Sequence, residues 1–299
     1  MKIFKGENFL QFTTRFKNDL VCKRYLAEIK WSDGYICKKC GHKKYSERPD
    51  FTRTCTYCKH NESPTAGTLF HKVKFGLRKA FHITYEMSNS SKGMSSIQMA
   101  KRYGITVKTA WFFMQKVRRA MKSSENYPME GLVQVDEFTV GGKEKNKQGR
   151  SYNTKKKKII GAVELTEKGK IKRFYSIRIK DYSSISLNTL FEKHISPDAN
   201  VLTDKWRGYR PLTQNYQITQ SLSLNGEHLK ELHIVIHQLK SWLRTIYSWV
   251  HPEHINHYLD EFSFRINRSI YKETIFHKLI ERLVIHKKSS YKDIIIATK

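Results

Sequence analysis

Val133-Gln134-Val135-Asp136-Glu137-Phe138-Thr139-Val140-Gly141-Gly142 and Val201-Leu202-Thr203-Asp204-Lys205-Trp206-Arg207-Gly208-Tyr209 each read as a β-strand that delivers an aspartate. Two convergent carboxylates on a basic chain make a hard-metal site where a phosphodiester can be cut. Read alone, each aspartate is equally an ordinary turn residue. In a strand, successive side chains point to opposite faces, so Glu137 is expected to face away from Asp136 and to stay outside the metal site.

Working outward, strands are expected at Ile159 to Leu165 and Lys172 to Ile179, then a helix near Ser184 to His194 and a strand at Ala199 to Thr203. Three strands, a helix and a fourth strand, with acids on the first and fourth, is the order of an RNase H-like fold. Between the first two strands lie Lys143, Lys145, Lys147, Arg150, Lys155, Lys156, Lys157 and Lys158, with the single acid Glu144. A solvated charged turn is one reading; beside a carboxylate site, a phosphate-backbone contact fits better.

The whole chain carries the same sign. Its 299 residues include 56 Lys+Arg against 27 Asp+Glu, a formal +29 that points to a polyanionic partner. No apolar run approaches the roughly 18 residues of a membrane-spanning helix, and Met1 to Phe12 lacks the apolar core of a secretory signal. A reducing, cytoplasmic setting with free or metal-bound cysteines is expected.

Cys37-x-x-Cys40 and Cys55-x-x-Cys58 are separated by 14 residues, the spacing of two knuckles holding one tetrahedral Zn²⁺. Four thiolates leave no open coordination position, so this zinc is structural. Cys22 is left over for packing. Next, Ser95-x-x-Gln98 has capping-box spacing and opens a helix through Tyr103, Gly104 makes a turn, and Thr106 can cap the following helix. In that helix Val107, Ala110, Trp111, Met114, Val117 and Met121 share one face. Lys108, Thr109, Gln115, Lys116, Arg119 and Lys122 share the other, which reads as the DNA side of a helix-turn-helix or as the solvated side of an amphipathic helix.

These residues together resemble a bacterial insertion-sequence transposase of the group with a zinc ribbon, a helix-turn-helix and a DDE-type catalytic domain, related to the Merlin transposons. The resemblance runs from about Ile36 to Arg268. It is carried by Cys37-x-x-Cys40-Gly41, Gly67-Thr68, Lys108-Thr109-Ala110-Trp111, Val135-Asp136-Glu137 with Gly141-Gly142, Thr203-Asp204 with Gly208-Tyr209, Leu239-Lys240, and Tyr258 to Arg268. It implies that Asp136 and Asp204 hold Mg²⁺ or Mn²⁺ and that a third residue on a late helix completes the site. Aligned on Lys240, that residue is Gln238, where relatives usually show Asn and sometimes an acid; Lys240 would hold a phosphate. His233 and His237 stand at i, i+4, a spacing metals can use, but read rather as packing or DNA-facing side chains. Within Tyr258 to Arg268, Phe262, Phe264 and Ile266 mark a packed structural element.

The expectation is therefore an α/β multidomain chain. Residues 1–75 would form an N-terminal segment and zinc ribbon, 76–125 a small helix-turn-helix bundle, and 126–275 an RNase H-like α/β catalytic domain with C-terminal helices. Residues 276–299 would be a basic tail, and Ser123 to Gly131 a hinge. The expected activity is metal-dependent nicking at transposon ends followed by strand transfer. Its partners would be terminal inverted repeats and target double-stranded DNA, handled in the nucleoid by at least a dimer. Two alternatives stand beside it: a DNA-binding regulator or inactive transposase relic, and an RNA-processing nuclease.

Overall fold

The computed structural model describes residues 3–6, 8–90, 92–142, 144–145, 154–222, 227–271, 273–286 and 290–295. Lys143, Lys147 and Arg150 of the basic loop lie outside them. In chain order the elements are α1 (Phe9–Arg15), α2 (Asp19–Lys30), β1 (Tyr45–Glu47), β2 (Arg53–Cys55), β3 (Asn61–Glu62), α3 (Leu77–Asn89), α4 (Ser96–Tyr103) and α5 (Val107–Met121). There follow β4 (Leu132–Val140), β5 (Lys157–Leu165), β6 (Ile171–Arg178), α6 (Ser184–His194), β7 (Asn200–Asp204), β8 (Gln217–Ser221), α7 (Lys230–Ile246), α8 (Ile255–Asn267), α9 (Ile275–Ile285) and α10 (Tyr291–Ile295). Two compact units result, Met1–Met121 with Ile270–Lys299, and Lys122–Ser269.

In the first unit, β1, β2 and β3 form a small antiparallel sheet beside the four cysteines. Asp19, at the start of α2, accepts hydrogen bonds from the amides of Leu77 (3.1 Å) and Arg78 (2.7 Å), satisfying orphan donors at the start of α3. The expected capping box forms: Gln98 N donates to Ser95 Oγ (3.2 Å) and Ser95 N to Gln98 Oε1 (3.1 Å). Gly104 ends α4 with φ of 58°, a left-handed conformation suited to glycine, and Thr106 caps α5 through the Thr109 amide (3.2 Å).

The first part of the expected tail, residues 276–285, is helical and belongs to α9. Phe276, Leu279, Ile280 and Leu283 of α9 are buried, Phe276 stacks edge-on with Phe4 and Phe12, and Tyr25 Oη meets His277 Nδ1 at 2.7 Å. Basic composition masked this, because α9 places its apolar residues on one stripe and leaves its charges on the other face.

The second unit is built on a five-stranded sheet of order β6-β5-β4-β7-β8. β4 pairs antiparallel with β5, β5 antiparallel with β6, β4 parallel with β7, and β7 parallel with β8. Strand alternation sorts the core into two faces. Val133, Val135, Ile160, Ala162 and Val201 pack with α6 residues Leu187, Leu190 and Phe191, whereas Phe138, Ile159, Val163 and Phe174 pack with α7 and α8. β6 is an edge strand, and α8 occupies part of its free backbone: Phe174 N donates to Asn267 Oδ1 (2.7 Å), Asn267 Nδ2 donates to Phe174 O (3.0 Å), and Arg178 N donates to Asn256 Oδ1 (2.8 Å). Edge strands left open invite pairing with other chains. The segment Tyr258 to Arg268 is thus structural, its Glu261 1% exposed and 3.6 Å from Arg265 within α8. Among the described residues no helix is long and apolar enough to cross a membrane.

Candidate metal centres and active site

In the first unit, the Cys37 and Cys58 sulfurs lie 3.5 Å apart and those of Cys40 and Cys55 3.6 Å apart. A disulfide requires about 2.05 Å, whereas sulfurs about 2.3 Å from a tetrahedral zinc lie ~3.8 Å from one another; all four are mutually within 4.8 Å. The donor set fits zinc. The two knuckles are the same turn built twice. Cys37 N donates to His42 O and Gly41 N to Cys37 O (2.9 and 2.8 Å), and Cys55 N donates to His60 O and Lys59 N to Cys55 O (2.9 and 3.1 Å). The residue after each second cysteine takes positive φ, 75° at Gly41 and 57° at Lys59. The second turn therefore places a side chain in a region that favours glycine.

In the second unit, one carboxylate oxygen from each of Asp136, Glu137 and Asp204 lies within 4.8 Å of the others. The sheet explains the meeting of the aspartates. β4 and β7 run parallel and pair as far as Gln134↔Leu202, so two residues farther on Asp136 and Asp204 stand side by side at the ends of the paired stretch. Each is aimed by backbone. Glu137 N donates to Asp136 Oδ1 (2.8 Å), and Trp206 N donates to Asp204 Oδ1 (3.0 Å). The turn after β7 is pinned in turn by Gln220 Nε2, which donates to the carbonyls of Asp204 and Trp206 (both 3.0 Å). Gly208 is required in this turn, since a Cβ there would lie 2.6 Å from Trp206 Nε1 and 2.8 Å from Tyr182 O.

Glu137 corrects the sequence reading. Its side chain does start on the α6 face, where the Tyr209 hydroxyl donates to Glu137 Oε2 at 2.6 Å. The pairing of β4 with β7 nevertheless stops before this point, and the longer glutamate brings a carboxylate oxygen within 4.8 Å of both aspartates. Alternation fixes where a side chain leaves the strand, not where its terminal atoms end. Tyr209 is fully buried, and burial followed by the charges of Glu137 and Asp136 raises its pKa far above the usual range, so the phenol remains a neutral donor.

On α7, His233 Nε2 lies 3.1 Å from Asp136 Oδ2. Lys240, seven residues later, turns the same way: its ammonium stands 5.3 Å from the Phe138 ring centroid. Burial lowers its pKa, Asp136 opposes that shift and Lys156 adds to it, so the Lys240 charge is felt at Asp136. Gln238 is exposed and, at 100° per residue, sits about 140° around the helix from His233. The structure brings Asp136 and Asp204 together, adds Glu137 and His233, sets Lys240 on the His233 side of α7, and leaves Gln238 exposed on another side. His233 was legible only as half of an i, i+4 histidine pair, whose other member, His237, is exposed. α7 is anchored at its start by Gln134, which donates to Glu231 Oε2 (2.7 Å) and accepts from Leu232 N (3.0 Å).

The other nucleic-acid candidates divide. Lys108 is exposed and Thr109 half-buried at the start of α5, but Gln115 and Lys116 are buried and Arg119 donates to the Asp293 carbonyl. The polar stripe does not face solvent along its length, because the later turns of α5 are enclosed almost all round. Lys155 is exposed in the loop, Lys157 lies over the Trp249 ring and Lys158 over the Tyr182 ring. Strand alternation thus sends the last two to opposite faces of the sheet.

Residues 128–267 match the model of the ISXO2-like transposase domain. Those residues, somewhat under half of the chain, are thus similar to an insertion-sequence transposase domain. No curated protein matches the chain significantly. Solved structures similar to the chain include a Mos1 transposase paired-end complex with left transposon end, at 11% identity, TM-score 0.20, covering 70% of this chain and 80% of that one. A pre-cleavage Mos1 transpososome is similar at 10% identity, TM-score 0.21, covering 72% and 78%.

Proposed function

We propose that this chain is a DNA transposase that nicks transposon ends and transfers the freed 3′ end to target DNA, with an RNase H-like catalytic domain. The observation that carries this reading is the carboxylate cluster of Asp136, Glu137 and Asp204 on neighbouring strands of a segment that matches a transposase domain. The sheet, with acids on its first and fourth strands, supports it. Hard oxygen donors at this spacing fit Mg²⁺ or Mn²⁺. Bound there, a divalent ion supplies a lowered pKa for the attacking hydroxyl and neutralises charge on the transferring phosphoryl group.

The chain's own residues do the rest. The amides of Glu137 and Trp206 and the Tyr209 hydroxyl fix the three carboxylates. His233, rather than Gln238, takes the third place from α7, and Lys240 with Lys156 holds a non-bridging phosphate oxygen. Water adds to phosphorus and the bond to the 3′ oxygen breaks, leaving a 3′-hydroxyl. That hydroxyl attacks a target phosphorus and expels a target 3′ oxygen, so no covalent enzyme intermediate is needed. The four-cysteine ribbon and the α4–α5 helix-turn-helix would bind the terminal repeats in the nucleoid, and pairing two ends requires at least a dimer.

The test is cleavage of labelled DNA containing the gene's flanking inverted repeats, in Mg²⁺. Asp136→Asn and Asp204→Asn should remove nicking and keep binding, and His233→Ala should weaken Mn²⁺ binding by about tenfold or more where Gln238→Ala does not. Nicking that survives either aspartate substitution rejects the site. Binding with no nick in the unaltered protein favours the regulator.

A further inference from the structure

In the first unit, a cavity of about 420 Å³ opens between the segment 72–75 and the first three turns of α5, a volume in the range that holds small organic groups. Its walls include Val73, Phe75, Phe112 and Phe113, and Phe75 meets Phe113 edge-on at 5.4 Å between centroids. Around it stand Lys72, Lys74, Lys108 and Lys116, and none of its lining residues is acidic. Lys72, Lys74 and Lys108 are exposed, while Lys116 is buried with its ammonium 4.6 Å from the Phe112 centroid. Burial lowers the pKa of Lys116, so a nearby anion would stabilise its charged form.

The two properties ask for one ligand. A rim of ammonium groups selects phosphate, and an apolar aromatic interior selects a flat uncharged body. Intact duplex offers the first on its outside but keeps base faces in the stack, so an aromatic-walled cavity of this volume is filled by a base that has left it. We propose that this pocket binds an unstacked nucleotide of a DNA strand, the base against Phe112 and Phe75 and its flanking phosphates on Lys72, Lys74 and Lys108. The proposal rests on DNA being the partner, as in the functional reading above, but not on catalysis.

The experiment uses the full zinc-loaded chain and three probes: a fluorescein-labelled 12-nucleotide single strand, the duplex of the same sequence, and free deoxyadenosine monophosphate. Phe112→Ala should weaken single-strand binding about tenfold, the scale of one lost base–aromatic stack, and change duplex binding less than about twofold. Phe112→Leu keeps bulk without a π face and should be as defective as Ala; restored binding means packing alone and overturns the proposal. Lys72→Gln with Lys74→Gln should reduce the slope of log affinity against log salt by about 1 to 2. Free mononucleotide should not compete at concentrations that saturate the strand; equal competition identifies a free-nucleotide site and also overturns it, as does unchanged single-strand affinity in Phe112→Ala. Asp136→Asn should bind the single strand like the unaltered protein, so a failed cleavage assay and a failed pocket are separate results.

Discussion

Tyr209→Phe isolates the contact that places the third acid. The substitution removes one oxygen from a fully buried ring and keeps its packing, so the change is the loss of the 2.6 Å hydrogen bond to Glu137 Oε2. A hydrogen bond to a charged acceptor contributes about 1.5–3 kcal/mol. Glu137 is only 8% exposed, so water cannot readily replace the donor, and a loss of about 2 kcal/mol is expected in the transposase domain. At about 3 °C per kcal/mol for a unit of this size, its calorimetric transition should fall by ~6 °C. In a Glu137→Gln background the acceptor is neutral, and the same substitution should cost only about 1 kcal/mol. Mg²⁺ should stabilise the Tyr209→Phe protein more than the unaltered one, because it replaces part of the lost compensation of the carboxylate. A cost below about 0.5 kcal/mol, or equal costs in both backgrounds, would refute the idea that Tyr209 holds a charged Glu137.

Cys40→Ser or Cys58→Ser should reduce bound zinc, measured by metal analysis, to near zero and should remove the chelator-sensitive unfolding step of the first unit; full zinc retention would exclude the four-thiolate site. Truncation after Ser269 deletes α9, whose Leu279, Ile280 and Leu283 are fully buried. Since single Leu→Ala changes in cores cost about 2–5 kcal/mol, limited proteolysis should find the first unit digested and the transposase domain intact. His194 is buried and stacked on Tyr175, and burial lowers its pKa to about 4. The unfolded state binds its proton near pH 6.5, so denaturant stability should be full above that pH, fall between pH 6.5 and 4, and level off below, with a total near 3 kcal/mol. His194→Phe should flatten that window.

The transposase-domain elements were legible because their residues obey local rules. The helix expected near Ser184 to His194 spans those residues, β4 carries Asp136 within it and β7 ends at Asp204. α4 was equally readable because its cap, turn and following cap are all short-range. What sequence could not supply was phase and reach. Lys240 was found from its neighbours, but the partner of Asp136 is seven residues before it, two full turns of helix, and not two before it. Glu137 was excluded by a rule about Cβ direction that does not constrain a carboxylate two carbons farther on. Gln115 and Lys116 look like surface residues in any helical projection; only the enclosure of the later turns of α5 removes them.

Charge sets the task of the carboxylate cluster. Three carboxylates within 4.8 Å of one another repel by about 3 kcal/mol per pair at an effective dielectric of 20. The fold holds them there with two backbone amides, one phenol and one imidazole. Elsewhere the chain is strongly positive, so its long-range field draws phosphate inward while the acids at the centre would repel it on arrival. Lys156 and Lys240 soften that boundary, but a phosphodiester can approach the carboxylates closely only when a small dense positive charge lies between the two sets of oxygens. In this reading the divalent ion is required for contact before it is required for chemistry. A Ca²⁺ titration, which permits the approach without supporting efficient turnover, should therefore tighten binding of a transposon end to the unaltered protein and leave Asp136→Asn with Asp204→Asn unaffected. Equal tightening in both would place the ion's effect elsewhere on the DNA.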